Sequence, residues 1–265
     1  GSLGGLPARA AALLPPDART PARGVRPTAG TRGTVQLFLG CVSYGLDGRS
    51  LDDTRRALAA AGYAVETPRR QGCCGAVDLH AGRPARAARL ARRNLAAFSG
   101  ANPVVACASG CAATLLEYER VTGGEGAGLA RRVADPAELL AAAELPLRAG
   151  PYRDVVLHIP CSQRHGTGTA DATRRLLARL PGVAVRELPA GCCGAAGEHF
   201  LSQPALADRL VAPLVRSLRA NPPDALVTSN IGCALHFGAA LRRAGLELPV
   251  LHPSSLVVAA LESGS

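Results

Sequence analysis

The sequence contains no lysine and few aromatic residues. All 30 basic residues are arginine, against 20 acidic residues, so the formal net charge is +10. Phe, Trp and Tyr together make up 3% of the chain, which leaves few side chains to stack on nucleic-acid bases. No nucleic-acid-binding motif is present. We therefore expect no DNA or RNA partner, while an acidic partner or an anionic membrane surface stays open.

Two further absences bear on the cellular compartment of the protein. No apolar run reaches the roughly eighteen residues of a membrane span, and no signal peptide is visible. The nine cysteines, without secretory features, are typical of a reducing compartment, where thiols bind metal or do redox chemistry. Adjacent cysteines rarely bond each other comfortably, which argues against a disulfide framework. We expect a cytoplasmic protein, either free or peripheral at the inner face of the membrane.

The most informative feature of the sequence is an internal repeat. Cys-Cys-Gly occurs at 73–75 and again at 192–194, and each copy has a lone cysteine on either side. Corresponding cysteines are 119 to 122 positions apart. Because both halves carry four cysteines at nearly the same spacing, the repeat predicts one soft-metal site per half. The two sets are Cys41, Cys73, Cys74 and Cys111, and Cys161, Cys192, Cys193 and Cys233.

Both halves alternate strands and helices. In the first half the patterns predict strands at 34–39, 64–67 and 103–106, a helix that begins with a capping box at Ser50 and ends at Gly62, and a helix over 83–98. In the second they predict strands at 155–159, 183–188, 225–228 and 249–251, with helices around Arg174, over 207–218 and from Ser255. This order predicts an α/β fold of two tandem similar units, each a small parallel sheet flanked by helices, related by pseudo-twofold symmetry.

The domain boundaries follow from composition. Residues 1–33 are rich in Gly, Pro, Ala and Arg without a sustained period, which predicts a flexible leader or linker. The first cysteine-rich domain is expected over 34–148 and the second over 149–265. Because no initiating methionine is present, we expect that an upstream segment was removed.

The cysteine positions also indicate the kind of site. Each group follows a predicted strand, and ligands of open α/β sheets collect beyond the carboxyl ends of the strands. Thiolates suit zinc, copper(I) or iron–sulfur clusters. An adjacent pair can hold a large object such as a cluster, and the following glycine can bring a backbone N–H to a sulfur. Structural zinc usually has Cys-x2-Cys pairs, which are absent here.

These residues resemble the duplicated cysteine-rich CCG domain family, which includes the cysteine-rich subunit of heterodisulfide reductase and lactate-utilisation proteins. Four stretches are most similar to the glycolate oxidase iron–sulfur branch, and the likeness covers roughly 34–263. The stretches are Gln71-Gly72-Cys73-Cys74-Gly75-Ala76, Ala108-Ser109-Gly110-Cys111, Gln163-Arg164-His165-Gly166 and Asn230-Ile231-Gly232-Cys233.

The resemblance implies that the eight thiols hold iron–sulfur clusters of the [4Fe–4S] type, one per half. It also implies an electron-transfer subunit: a flavoprotein dehydrogenase subunit oxidises a 2-hydroxy acid such as glycolate, and the clusters relay electrons toward a quinone-side or peripheral membrane partner. We expect no bound flavin or NAD, because no Gly-x-Gly-x-x-Gly follows a strand, and no catalytic residue in this chain.

The sequence departs from parts of the family. The heterodisulfide reductase pattern ends in Cys-x2-Cys, but the earlier position is Ala108 in the first half and Asn230 in the second. The ferredoxin-like Cys-x2-Cys-x2-Cys-x3-Cys-Pro runs of the glycolate oxidase subunit are absent. Two alternatives stay open: a thiol–disulfide reductase, and a zinc- or cluster-stabilised scaffold without catalytic activity.

A few other residues are candidates near the thiols. Cys107 is either a buried thiol or a fifth ligand. His80 and His199, at matching positions after the cysteine pairs, are either metal ligands or helix histidines satisfied by the backbone. His158 and His252 are expected to pack at strand ends.

Overall fold

The computed structural model describes residues 5–16, 18–21, 24 and 30–262. The parts of the expected leader at 1–4, 17, 22–23 and 25–29 lie outside the described residues, as do 263–265. The described chain folds into two α/β units that follow one another in sequence.

Each unit is built on a four-stranded parallel sheet, and both sheets have the same strand order. The first contains β1 (Thr34–Phe38), β2 (Ala64–Glu66), β3 (Val104–Ala106) and β4 (Val133–Ala134), in the order β2-β1-β3-β4. The second contains β5 (Asp154–His158), β6 (Ala184–Glu187), β7 (Ala225–Thr228) and β8 (Val250–Leu251), in the order β6-β5-β7-β8. The predicted fold class is confirmed.

Helices connect the strands and cover the sheets. Those up to the end of the first unit are α1 (Gly5–Leu13), α2 (Val42–Leu46), α3 (Gly48–Ala60), α4 (Ala76–His80), α5 (Pro84–Ala97), α6 (Ser109–Leu116), α7 (Tyr118–Thr122), α8 (Ala127–Ala130) and α9 (Pro136–Ala141). The second unit has a π-helical turn (Ser162–Thr167), α10 (Ala170–Ala178), α11 (His199–Ser202), α12 (Pro204–Ala220), α13 (Ile231–Arg243) and α14 (Pro253–Glu262).

The two units pack against each other through corresponding helices. Helix α3 of the first unit contacts α14 of the second, and α10 of the second contacts α9 of the first. One continuous apolar cluster includes Leu37 and Leu58 from the first unit and Leu157 and Leu176 from the second. Such reciprocal packing is what a twofold relation between the units produces.

The leader differs from its expectation where it is described. Residues 5–13 form helix α1, which contacts α11 and α13 of the second unit. The Arg9 guanidinium pairs with both carboxylate oxygens of Asp208 at 3.0 Å, and Leu13 is buried in the second unit's apolar core. These long-range contacts, rather than a helical period in the sequence, hold the segment in place.

The start of α3 also differs from its prediction. Asp47, not Ser50, is the N-cap, and its carboxylate accepts a hydrogen bond from the Ser50 N–H at 3.3 Å. The predicted end is right: Gly62 has φ +88° just beyond the helix, where glycine is favoured.

Candidate metal centres

The first thiol set lies at the carboxyl edge of the first sheet. Cys41 follows β1, the Cys73-Cys74 pair follows β2, and Cys111 is in the first turn of α6, after β3. The Cys41 and Cys73 sulfurs are 3.4 Å apart, and those of Cys74 and Cys111 are 3.3 Å apart. Neighbouring parallel strands end at one edge, so thiols far apart in sequence meet there.

The second set repeats this arrangement in the second sheet. The Cys193 and Cys233 sulfurs are 2.9 Å apart, and the Cys161 and Cys192 thiols interact with each other. All nine cysteines are free, and 2.9 Å exceeds a disulfide bond of about 2.05 Å. In both sets the cysteine after the first strand is exposed and the second member of the adjacent pair is buried.

The glycine of each motif brings a backbone donor to a sulfur, as predicted. The Gly75 N–H donates to Cys73 Sγ at 3.4 Å, and the Gly194 N–H donates to Cys192 Sγ at 3.3 Å. Both glycines have positive φ, +90° and +83°, which disfavours other residues. This conformation turns the amide back toward the first sulfur of the pair.

Buried side chains fix the backbone of the first cysteine pair. The Tyr118 hydroxyl donates to the Cys74 carbonyl at 2.9 Å, and the Asn94 amide donates to the Cys73 carbonyl at 2.9 Å and to the Tyr118 oxygen at 2.8 Å. Sequence reasoning gave Asn94 no role. Asn94 is a polar residue on the apolar face of α5, where it is fully buried. Its place on that face was the signal in the sequence that could have indicated a role.

The second pair is held differently. His236 Nδ1 lies 2.7 Å from the Cys193 carbonyl, so it donates to that oxygen, and Nε2 lies 3.3 Å from Asp208. His236 was not predicted either; it lies one helical turn after Cys233 on α13. The two units therefore position corresponding cysteines with different side chains.

The thiols of each set influence one another's charge. Hydrogen bonds from Cys41 and Cys74 hold the pKa of Cys73 well below its ordinary value, and the Gly75 N–H and Arg86 act in the same direction. The hydrogen bond to Cys73, together with burial, raises the pKa of Cys41. In the second set the hydrogen bond with Cys193, then burial, raises the pKa of Cys192. Metal binding deprotonates such thiols, so it would replace these shared protons.

The two carboxyl edges face each other across the unit interface. The Ser109 N–H donates to the Ser229 carbonyl at 2.9 Å, and the Ser109 and Ser162 hydroxyls are 2.8 Å apart. The Asn230 amide donates to Ser162 Oγ at 3.2 Å. Because these residues lie one to four positions from Cys111, Cys161 and Cys233, segments that carry both thiol sets are in contact.

The structure gives the positions and contacts of the further candidates near the thiols. Cys107 is buried in the core beside Thr54, and burial raises its pKa to about 12. His80 is exposed at the end of α4, and His199 Nδ1 donates to the Gly194 carbonyl at 3.1 Å. His252 bonds the Cys107 carbonyl at 3.1 Å, which agrees with strand-end packing.

The expectation for His158 was incomplete. Its ring is buried at the end of β5, and one ring nitrogen and the sulfurs of Cys193 and Cys233 all lie within 4.8 Å of one another. The available signal was its place three residues before Cys161, at the end of the central strand.

The donor chemistry of both sets fits a thiolate-bound metal centre. Four thiols converge in each unit, a backbone N–H points at one sulfur of each set, and the carbonyls of the buried cysteines are already bonded. Soft sulfur ligands of this kind select zinc, copper(I) or iron–sulfur clusters. The geometry alone leaves these three open.

Comparison with known proteins identifies the family of this chain. The family model for the "Cysteine-rich domain" (CCG) matches twice, at residues 35–116 and 155–238, so it covers both thiol sets. These matches span more than half of the chain.

Two relatives match nearly the whole chain. The "Glycolate oxidase iron-sulfur subunit" of Escherichia coli is 32% identical over 97% of this chain and 65% of its own length. The "Lactate utilization protein A" of Oceanobacillus iheyensis is 25% identical over 87% of this chain and 98% of its own length. The chain thus spans about two thirds of the Escherichia coli protein.

A solved structure shares the fold. A hypothetical protein from Helicobacter pylori superposes with a TM-score of 0.53 at 12% identity, over 99% of this chain and 54% of its own. Within the described residues, no helix combines the length and apolar character needed to cross a bilayer.

Proposed function

The chain belongs to the cysteine-rich CCG domain family, and from this we propose that it is an iron–sulfur electron-transfer subunit of a flavin-dependent 2-hydroxy-acid dehydrogenase. Glycolate is the proposed substrate of the complex, because the Escherichia coli relative is named for glycolate oxidase. The single observation that supports the proposal is the convergence of eight thiols into two sets at facing sheet edges.

We propose one [4Fe–4S] cluster in each domain, with the domains at 34–148 and 149–265. Four thiols per set match the four irons of such a cluster. The ligands are Cys41, Cys73, Cys74 and Cys111 in the first domain, and Cys161, Cys192, Cys193 and Cys233 in the second. A bound cluster supplies one-electron redox chemistry.

The residues of the chain then have distinct tasks. The buried thiols of Cys74 and Cys193 anchor each centre in the core, while exposed Cys41 and Cys161 leave one side near solvent. The glycine N–H groups and the hydrogen-bonded cysteine carbonyls hold the sulfurs in place. A centre that spans core and surface is suited to accept an electron at the surface and pass it inward.

The thiol–disulfide reductase alternative is not favoured by the thiol count. Its pattern needs a fifth thiol per set, but that position is Ala108 in the first set, and the neighbouring Cys107 lies in the core beside Thr54. In the second set the corresponding residue, Asn230, is the N-cap of α13 and accepts from the Gly232 N–H at 3.2 Å.

The hydroxy acid is proposed to react on a partner flavoprotein. Removal of its α-hydrogen as hydride requires an organic acceptor, whereas a cluster takes one electron at a time. No Gly-x-Gly-x-x-Gly follows a strand in this sequence. The electrons would leave toward a quinone-side partner.

Anaerobic purification with iron, acid-labile sulfide and EPR analysis tests the proposal. We expect about eight irons and eight sulfides per chain for two such clusters, bleaching on reduction by the flavoprotein, and no glycolate oxidation by the chain alone. Cys74→Ser should remove the first centre and Cys193→Ser the second, while Cys107→Ala, the matched control, should keep both. Stoichiometric zinc without labile sulfide would contradict the proposal and favour the scaffold alternative.

A further inference from the structure

One buried histidine nitrogen at the second thiol set makes no well-formed hydrogen bond to any residue that the structure describes. His158 ends β5 and is 2% exposed, and its Nδ1 lies 3.0 Å from Thr228 Oγ1. Within the described residues, Nε2 is buried without a well-formed hydrogen bond, and the ring also lies near the backbone of Gly191. An unsatisfied buried polar atom destabilises the fold, and in a native structure such an atom calls for an explanation, for example a redox role or a bound ion.

The surroundings of this nitrogen indicate what it faces. A ring nitrogen of His158 and the sulfurs of Cys193 and Cys233 all lie within 4.8 Å of one another. Because Thr228 engages Nδ1, we assign Nε2 as the nitrogen that faces the thiols. The ring is held edge-on against Phe237, with centroids 4.9 Å apart, so its position is set by packing.

The first unit has no such group at the corresponding place. Phe38 ends β1 as His158 ends β5, and Ala106 ends β3 as Thr228 ends β7. Phe38 packs on Phe98 with centroids 5.8 Å apart. The His158–Thr228 pair therefore replaces an apolar pair, and it distinguishes the second site from the first.

We propose that His158 belongs to the second metal centre, where its Nε2–H donates a hydrogen bond to a cluster-bound sulfur and makes that centre easier to reduce. The inference rests on the proposed iron–sulfur function. Four thiolates already match the four irons, so the histidine serves as a donor rather than a ligand. With the Thr228 hydroxyl donating to Nδ1, the neutral ring carries its proton on Nε2.

Hydrogen bonds to cluster sulfurs stabilise the reduced, more negative state, which raises the reduction potential. The first centre lacks this donor, so the two clusters differ in potential although their cysteines match. His158 is thus a positioning and tuning residue of the second centre.

The test is an EPR-monitored redox titration of the anaerobically purified protein, with the second centre assigned as the signal lost in Cys193→Ser. The double variant H158F/T228A copies the Phe38–Ala106 pair of the first unit. We expect the reduced-to-oxidised ratio of the second centre at a fixed potential to fall about tenfold, a shift of about 59 mV for one electron. The reduction potential of the first centre should not change.

His252→Gln is the matched control, because it changes a buried histidine whose contacts are with backbone groups; both potentials should stay unchanged. In protein labelled with ¹⁵N-histidine, pulsed EPR should detect a weak nitrogen coupling at the second centre that H158F/T228A removes.

The outcomes separate this inference from the proposed function. Two intact clusters with an unchanged second potential and no nitrogen coupling would overturn the role of His158 alone. A strong coupling typical of directly bound nitrogen would overturn the donor assignment. Protein without iron or labile sulfide would instead contradict the proposed function.

Discussion

Gly194 shows how the backbone geometry of one residue positions a donor at the proposed second metal centre. Its positive φ turns its N–H toward Cys192 Sγ, and a Cβ there would lie 2.7 Å from the Ala207 carbonyl oxygen and 2.9 Å from Ala207 Cα. Those atoms belong to the backbone of α12, so the clash cannot be relieved by a side-chain rotation. Only glycine fits both the conformation and the space.

We therefore predict that Gly194→Ala destabilises the protein and empties the second centre. Left-handed backbone costs a non-glycine residue about 1–2 kcal/mol, and the clash with α12 adds to it. Gly245→Ala is the control, because Gly245 has φ +66° but open space around its Cβ position. Gly245→Ala should lower the stability only by the conformational cost, and it should keep its full metal content. Thermal unfolding and iron analysis measure both; equal losses in the two variants would refute the steric argument.

At the scale of elements, the unit interface depends on a buried polar network that begins at the N-cap of α9. The Asp135 carboxylate accepts from the Ala137 N–H at 2.8 Å, from Thr169 Oγ1 at 2.9 Å and from Gln163 Nε2 at 3.2 Å. Gln163 is fully buried in the π-helical turn and also accepts from Ser229. This network links α9 of the first unit to the segment that follows Cys161.

Asp135 should make stability depend on pH. Burial raises its pKa to about 6, against the hydrogen bonds that lower it. The folded state then binds a proton more tightly than the unfolded state, so stability falls as the pH rises from about 4 through 6. Asp135→Asn should remove about 1 kcal/mol of this fall between pH 5 and pH 7. Urea unfolding of both proteins at the two pH values measures the difference; parallel pH profiles would contradict it.

The elements also show which local signals were sufficient. Strands β1, β3, β5 and β7 were predicted because each is a short apolar run that leads toward a cysteine of one of the two sets. Strand β4 was missed because its two residues lie between Arg131-Arg132 and Asp135-Pro136, without an apolar run around them. The π-helical turn was missed because it follows from the buried contacts of Gln163, which join segments far apart in sequence.

At the scale of the whole molecule, the charge of +10 favours association with an acidic partner surface. Arg83 and Arg86, near the first thiol set, are about half exposed although both pair with Asp78, and Arg86 lowers the pKa of Cys73. Charge of one sign near an electron-entry site accelerates the approach of an oppositely charged protein.

We predict that electron transfer from the proposed flavoprotein partner slows as salt rises, because the Debye length falls from about 10 Å at 0.1 M to about 3 Å at 1 M. Stopped-flow reduction at increasing NaCl measures the rate. A small neutral reductant is the control and should show little dependence on salt. A flavoprotein rate that does not change with salt would exclude docking by charge.

The sequence by itself determined the repeat, the parallel α/β units and the cysteines that meet at each sheet edge, because strand patterns and thiol spacing are local and duplicated. It did not determine the docking of α1, the core position of Cys107, or the side chains that hold the cysteine carbonyls. Those depend on contacts between distant segments, such as Asn94 with Cys73 and His236 with Cys193. Only the tertiary structure decided that His158 faces the second thiol set while Phe38 occupies the matching place in the first, because the register of neighbouring strands sets which side chains share an edge.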